Sequence, residues 1–155
     1  MQLKIEVALA DFDVGVEQAR LHAVAPGAGA IVAFTGCVRV RADGRDVQAL
    51  EIEHYPGMTE RSVEATANDA ARRWPLSAIT VIHRVGRLLP GEQIVLVLAA
   101  SAHRQAAFDA ASFIMDHLKT HAVFWKREVY PDGARWIESR TADHAAVAAW
   151  DPERA

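Results

Sequence analysis

Two of the chain's three lysines, Lys119 and Lys126, fall in one short segment of a protein whose other fourteen basic residues are arginines. An arginine stays protonated, whereas a lysine amine placed against apolar walls or near other cations sheds its proton and serves as base or nucleophile. In the stretch from Lys119 to Glu128 (KTHAVFWKRE), strand alternation sets Phe124, Lys126 and Glu128 on one side and Trp125 and Arg127 on the other. Lys126 then emerges beside an aromatic ring and a carboxylate.

A second candidate is SAHR, Ser101 to Arg104, where an apolar run (QIVLVLAAS) leads directly into a helical pattern. Ser101 is the expected N-cap, and the free N–H groups of the first turn, with the side chains of His103 and Arg104, make a phosphate or carboxylate site. The same residues also read as a capped helix with solvated side chains. Along that helix Arg104, Phe108, Ala111, Met115 and Lys119 form one stripe, with the middle three read as core. Arg104 and Lys119 stand roughly 22 Å apart on a straight helix. They reach one small anion only if a second subunit lays its helix alongside, antiparallel. Shared function therefore predicts a dimer.

Other candidates carry less. His117 and His121 have the i, i+4 spacing of a metal pair, but no HExxH motif or third ligand accompanies them, and we assign no metal and no cofactor. Gly27-Ala28-Gly29 lacks the third glycine of a dinucleotide fingerprint, and neither a P-loop nor GxSxG is present. Cys37, beside Arg39, reads as a nucleophile or as a small buried hydrophobe. Asp109 and Asp116 read as a solvated helix face.

The elements that must position these residues alternate between strand-like and helix-like patterns. Strands are expected at Leu3–Leu9, Ala30–Val38, Val47–Tyr55, Ala78–Val85, Gln93–Ala100, Val123–Tyr130 and Arg135–Ser139. The second and third read as a long hairpin around Asp43-Gly44, and the fourth and fifth as a hairpin around Leu89–Glu92. A short helix follows Asp13; two longer ones run from Pro56-Gly57 to Trp74 and from Ala102 to Leu118; a short Ala-rich one spans Thr141–Trp150. Hairpins mixed with two main helices predict an α+β fold with an antiparallel or mixed sheet, in a single domain over residues 1–155 whose tail from about 141 is peripheral.

Composition bounds the function. With 155 residues, 17 Lys+Arg, 20 Asp+Glu and a net charge of −3, the chain has a domain's worth of core and no basic field for nucleic acid. One cysteine excludes internal disulfides, and the longest apolar run is far too short to span a bilayer. With no signal-peptide pattern at the N-terminus, a cytoplasmic protein is expected.

Seven segments in order resemble the family of the large, catalytic subunit of molybdopterin synthase: FTGCVR (Phe34 to Arg39), LEIEHYPGMTE (Leu50 to Glu60), RWPL (Arg73 to Leu76), VIHRVGRLLPGE (Val81 to Glu92), SAHR, FIMDHLKT (Phe113 to Thr120) and FWKRE (Phe124 to Glu128). The resemblance runs from about residue 30 to 140. It implies an α/β-hammerhead fold with an inserted β-rich subdomain, and a homodimer flanked by two small ubiquitin-like sulfur carriers. Each carrier's C-terminal Gly-Gly thiocarboxylate enters a pocket of the large subunit and donates sulfur to cyclic pyranopterin monophosphate, two sulfurs making the dithiolene of molybdopterin. By residue, Lys119 and Lys126 match the family's catalytic lysines. Cys37, Val38, Arg39, His103 and Arg104 match its anionic-substrate pocket, and Arg127 and Glu128 extend it. Phe34 and Met115 match the pocket wall, and Arg140 is a further contact from the neighbouring subunit. Cys37 stands where many members carry Lys. The alternative is a non-catalytic phosphate-binding scaffold that only docks a carrier tail; retention of two lysines where arginine would serve docking favours the enzyme.

Overall fold

The structure, a computed structural model, describes residues 1–151. One sheet has the order β1-β6-β8-β2, from Gln2–Ala8 (β1), Leu76–Arg84 (β6), Gln93–Ser101 (β8) and Ala30–Cys37 (β2). β1 runs parallel to β6; the other neighbours are antiparallel. The second sheet, order β10-β9-β5-β7, is wholly antiparallel and built from Gly133–Ile137 (β10), Phe124–Tyr130 (β9), Ala49–His54 (β5) and Gly86–Leu88 (β7). Arg41–Ala42 (β3) and Arg45–Asp46 (β4) make a two-residue hairpin.

The continuous apolar run of β8, Ile94 to Ala100, follows from its burial on both faces. Met58–Arg73 (α2) and Arg104–Thr120 (α3) cover one face, where Val63, Ala67, Phe113 and Ile114 meet Val81 and Val97. Val14–Val24 (α1) covers the other, with Leu21 against Ile82, Leu96 and Leu98. A third cluster, Leu50, Ile52, Val85, Leu88 and Tyr130 among others, belongs to the second sheet. The α+β class and its β-rich subdomain are present, but that subdomain is drawn from three separate stretches of chain.

Three details depart from expectation. β2 and β5 do not pair: β2 lies beside β8, and β5 lies between β9 and β7 in the other sheet. The Asp-Gly signal there is real, with both residues at positive φ, but it folds only the β3–β4 turn. Between the paired β6 and β8, the chain turns at Gly86 (φ 92°) into the other sheet, adding β7. A Cβ at Gly86 would meet only Leu9 Cδ2, the end of an exposed side chain that can move aside, so it is the positive φ that calls for glycine at this corner. Finally, the tail, whose helix has no buried residue, is nevertheless tied down. Thr141–Ala148 (α4) packs on α3, and Trp150 stacks edge-on against Trp74 and Phe113 while its indole N–H donates to Asp116. Residues 152–155, the end of that tail, lie outside the described residues.

Candidate active site

The second sheet, the C-terminal half of α3 and the end of β2 enclose a cavity of about 780 Å³. β9 supplies its floor by simple alternation. Phe124, Lys126 and Glu128 line it, while Trp125 is turned outward and 48 % exposed. Lys119 reaches in from the last turn of α3, and Phe34, Cys37, Val38 and Arg39 from the end of β2. Met115 forms apolar wall one turn before Lys119.

The two lysines share one cavity and influence each other. Burial depresses the Lys126 pKa below the ordinary lysine range; the Lys119 charge pushes it down further, and Asp143 opposes both. Lys119 is held from two sides: Ser139 Oγ donates to its carbonyl at 2.7 Å, and Asp143 Oδ1 lies 3.9 Å from its Nζ. The other oxygen of Asp143 accepts the Arg140 N–H at the start of α4. Glu128, only 4 % exposed, lies 3.8 Å from the Arg39 guanidinium, which it orients while leaving most of that side chain free.

Arg140 lines the cavity within the same chain and also faces Asp43 at 3.6 Å. Arg127 does not line it. It sits on the outer face of β9, bonded to Glu51, which also accepts from Arg87, and lies over the Trp136 ring. Arg127, expected to extend the substrate pocket, instead joins an ion-pair network on that outer face, between β9 and β5.

His103 and Arg104 are not brought to the lysines. With Gly29, Ala102 and Gln105 they line a separate cleft at the start of α3. Ser101 is not the N-cap: it is the buried last residue of β8, its hydroxyl donating to the Pro75 carbonyl and accepting from the His103 N–H, and His103 takes the cap position. Phe108, read as core, is 58 % exposed. It stands about 100° round the helix from Ala107, the centre of the buried arc. His117 is bonded to the Phe113 carbonyl through Nδ1 and stacked on that ring, and no cluster of three or more metal-ligating side chains occurs among the described residues.

Two cavity groups escaped the sequence reading. Asp143 looked like an ordinary first-turn carboxylate of a terminal helix. His83, on β6, is 3 % exposed, lines the cavity and stacks on Phe124 at 3.9 Å. The one signal for it was a histidine set in an otherwise apolar strand, TVIHR.

Taken together, the cavity offers Arg39, Lys119, Lys126 and Arg140 to an anion, with an amine of lowered pKa among them. Such a site binds a phosphate or carboxylate and accepts a proton beside it. The MoaE protein family matches residues 7–121. The molybdopterin synthase catalytic subunit of Pseudomonas aeruginosa is 52 % identical over 149 residues, covering 96 % of this chain and 99 % of that protein. The protein of the same name from Escherichia coli is 50 % identical over 149 residues, covering 96 % and 99 %. Among solved structures, the molybdopterin biosynthesis MoaE protein from Burkholderia ambifaria superposes with a TM-score of 0.83 at 47 % identity, over 97 % of this chain and 98 % of that one.

Proposed function

The chain belongs to the MoaE protein family, and on that premise we propose that it is the catalytic subunit of a molybdopterin synthase. It converts cyclic pyranopterin monophosphate to molybdopterin with two sulfurs taken from the C-terminal thiocarboxylate of a small ubiquitin-like carrier subunit. The observation that carries this reading is the pair of lysines in one cavity, Lys126 with a depressed pKa, beside Arg39.

The chemistry assigns roles. Each transfer forms a bond between the thiocarboxylate sulfur and a substrate carbon while a carbon–oxygen bond at that carbon breaks and its oxygen leaves with a proton; water then cleaves the acyl carbon–sulfur bond, returning the tail as a carboxylate. That hydrolysis needs a base for the water and a cation for the oxyanion that develops on the acyl carbon. Lys119, more exposed at the cavity mouth, contacts the tail's terminal carbonyl and acts as general acid/base; Lys126, deeper, positions the substrate and the developing anion. Arg39, held by Glu128, takes the phosphate.

His103 and Arg104 complete the site from a second copy of the chain. Supporting this, Phe34 on the edge strand β2 and Phe108 on α3 are 41 % and 58 % exposed, an apolar surface for a second copy to cover. The assembly is then a homodimer with a carrier at each end. No helix among the described residues is long and apolar enough to cross a membrane, and we place the reaction in the cytoplasm.

The test is to mix the protein with thiocarboxylated carrier and cyclic pyranopterin monophosphate and assay for dithiolene. Product is expected. Its absence with both partners bound overturns the enzyme and leaves a docking scaffold. Lys119→Arg keeps the charge but not the titratable amine, so turnover should fall ~100-fold or more with carrier binding intact; unchanged turnover removes the general acid/base role of Lys119.

A further inference from the structure

The cavity is rich in donors and poor in free acceptors. Arg39, Lys119, Lys126 and Arg140 all bring N–H groups to it. Of its three carboxylates, Glu128 answers Arg39, Asp143 answers Lys119 and the Arg140 N–H, and Glu138 stands exposed to solvent. A phosphate is well served by such a lining. A heterocycle bearing ring N–H and amino groups is not.

His83 supplies what is missing. Its Nδ1 lies 2.8 Å from the Arg84 carbonyl oxygen. A carbonyl only accepts, so Nδ1 carries the hydrogen and Nε2 is left with its lone pair. Stacking on Phe124, 3.9 Å between centroids and 22° between planes, fixes the ring. No side chain among the described residues donates to Nε2, yet none of their buried side-chain nitrogens and oxygens lacks a partner. Nε2 therefore keeps the sliver of exposure left to this residue, and the cavity is the space His83 lines. Burial pushes its pKa down to about 3, the Lys126 charge adding to the effect, so at neutral pH the nitrogen accepts and does not donate.

We propose that His83 is a substrate-binding residue, its Nε2 accepting a hydrogen bond from a ring N–H or amino group of the pterin while the arginine and lysine side chains hold the phosphate. This rests on the cavity being the pterin site, as argued above.

Three variants separate the possibilities. His83→Phe keeps the stacked ring and loses both nitrogens. His83→Asn retains a donor for the Arg84 carbonyl but no acceptor at the Nε2 position. His83→Gln can return an acceptor close to that position. Cyclic pyranopterin monophosphate is titrated calorimetrically into each protein bound to unthiolated carrier, so that no turnover occurs, and inorganic phosphate is titrated in parallel. Pterin affinity should fall about tenfold for Phe and Asn and recover for Gln, the loss expected of one hydrogen bond, with phosphate affinity unchanged throughout. Unchanged pterin affinity in a folded Phe or Asn variant overturns the proposal, and so does an equal loss for phosphate, which marks a collapsed pocket. Should the Phe variant fail to fold, the Asn variant decides. A wild-type protein that binds phosphate but not the pterin brings down the pocket reading itself, a result distinct from wild-type binding that the variants leave untouched.

Discussion

The residues of the cavity are tuned by burial more than by partners. Among the described residues no carboxylate is bonded to Lys126; desolvation and Lys119 together disfavour its charged form, against the more distant charge of Asp143. His83 is the extreme case, with its pKa lowered from 6.5 to about 3. Between those two values the unfolded chain takes up a proton that the folded protein refuses, so stability falls as pH drops through this window and levels off below it. The slope is about 1.4 kcal/mol per pH unit for a single such group. Urea unfolding at pH 7 and pH 4 should show wild type losing more stability over that interval than His83→Phe. Equal losses in the two proteins would mean that the imidazole is not held neutral by the fold.

At the scale of elements, what could be read from the chain followed the strength of local periodicity. The inward set Phe124, Lys126 and Glu128 was legible because side chains alternate along a strand, and β8 because its seven-residue apolar run, Ile94 to Ala100, leaves little choice. The partners of β2 and β5 were not legible, since Asp43-Gly44 marks a turn but says nothing about how far the arms stay paired. Ser101 misled for a related reason: a serine before a helix favours capping, yet here the helix starts two residues later than expected, so the N–H that Ser101 Oγ accepts belongs to His103, the cap residue itself. The junction of β8 and α3 is also sterically closed. A Cβ on Gly29 would lie 2.4 Å from the Ala102 carbonyl oxygen, a backbone atom that cannot move without shifting His103 and Arg104. Gly29→Ala should therefore cost about 1–3 kcal/mol by the usual penalty of overpacking, read as a lower urea midpoint; an unchanged midpoint would show that the junction is looser than its geometry.

For the whole molecule, the decisive fact is that Arg104 and Lys119 occupy opposite ends of the 17-residue helix α3. If each site joins Lys119 of one copy to Arg104 of the other, two inactive proteins can rescue one another. In a heterodimer of Lys119→Ala with Arg104→Ala, one site carries both defects and the other carries neither. Random exchange of subunits should then restore about a quarter of wild-type sites, measured as dithiolene formed after mixing, unfolding and refolding together. Recovery no greater than the sum of the two variants alone would place Arg104 outside the shared site. The same architecture constrains how the chain reaches its native state. The β6–β8 pair closes over a short loop, but the second sheet joins Ala49 to Val129 and Ile137 to Lys126, so most of the chain must exist before that sheet can assemble. During synthesis β5 can pair with β7 on one edge, but its other edge waits unpaired until β9 leaves the ribosome. The cavity, floored by β9, is thus the last region to form, and refolding should regain the helices well before it regains any ability to bind phosphate.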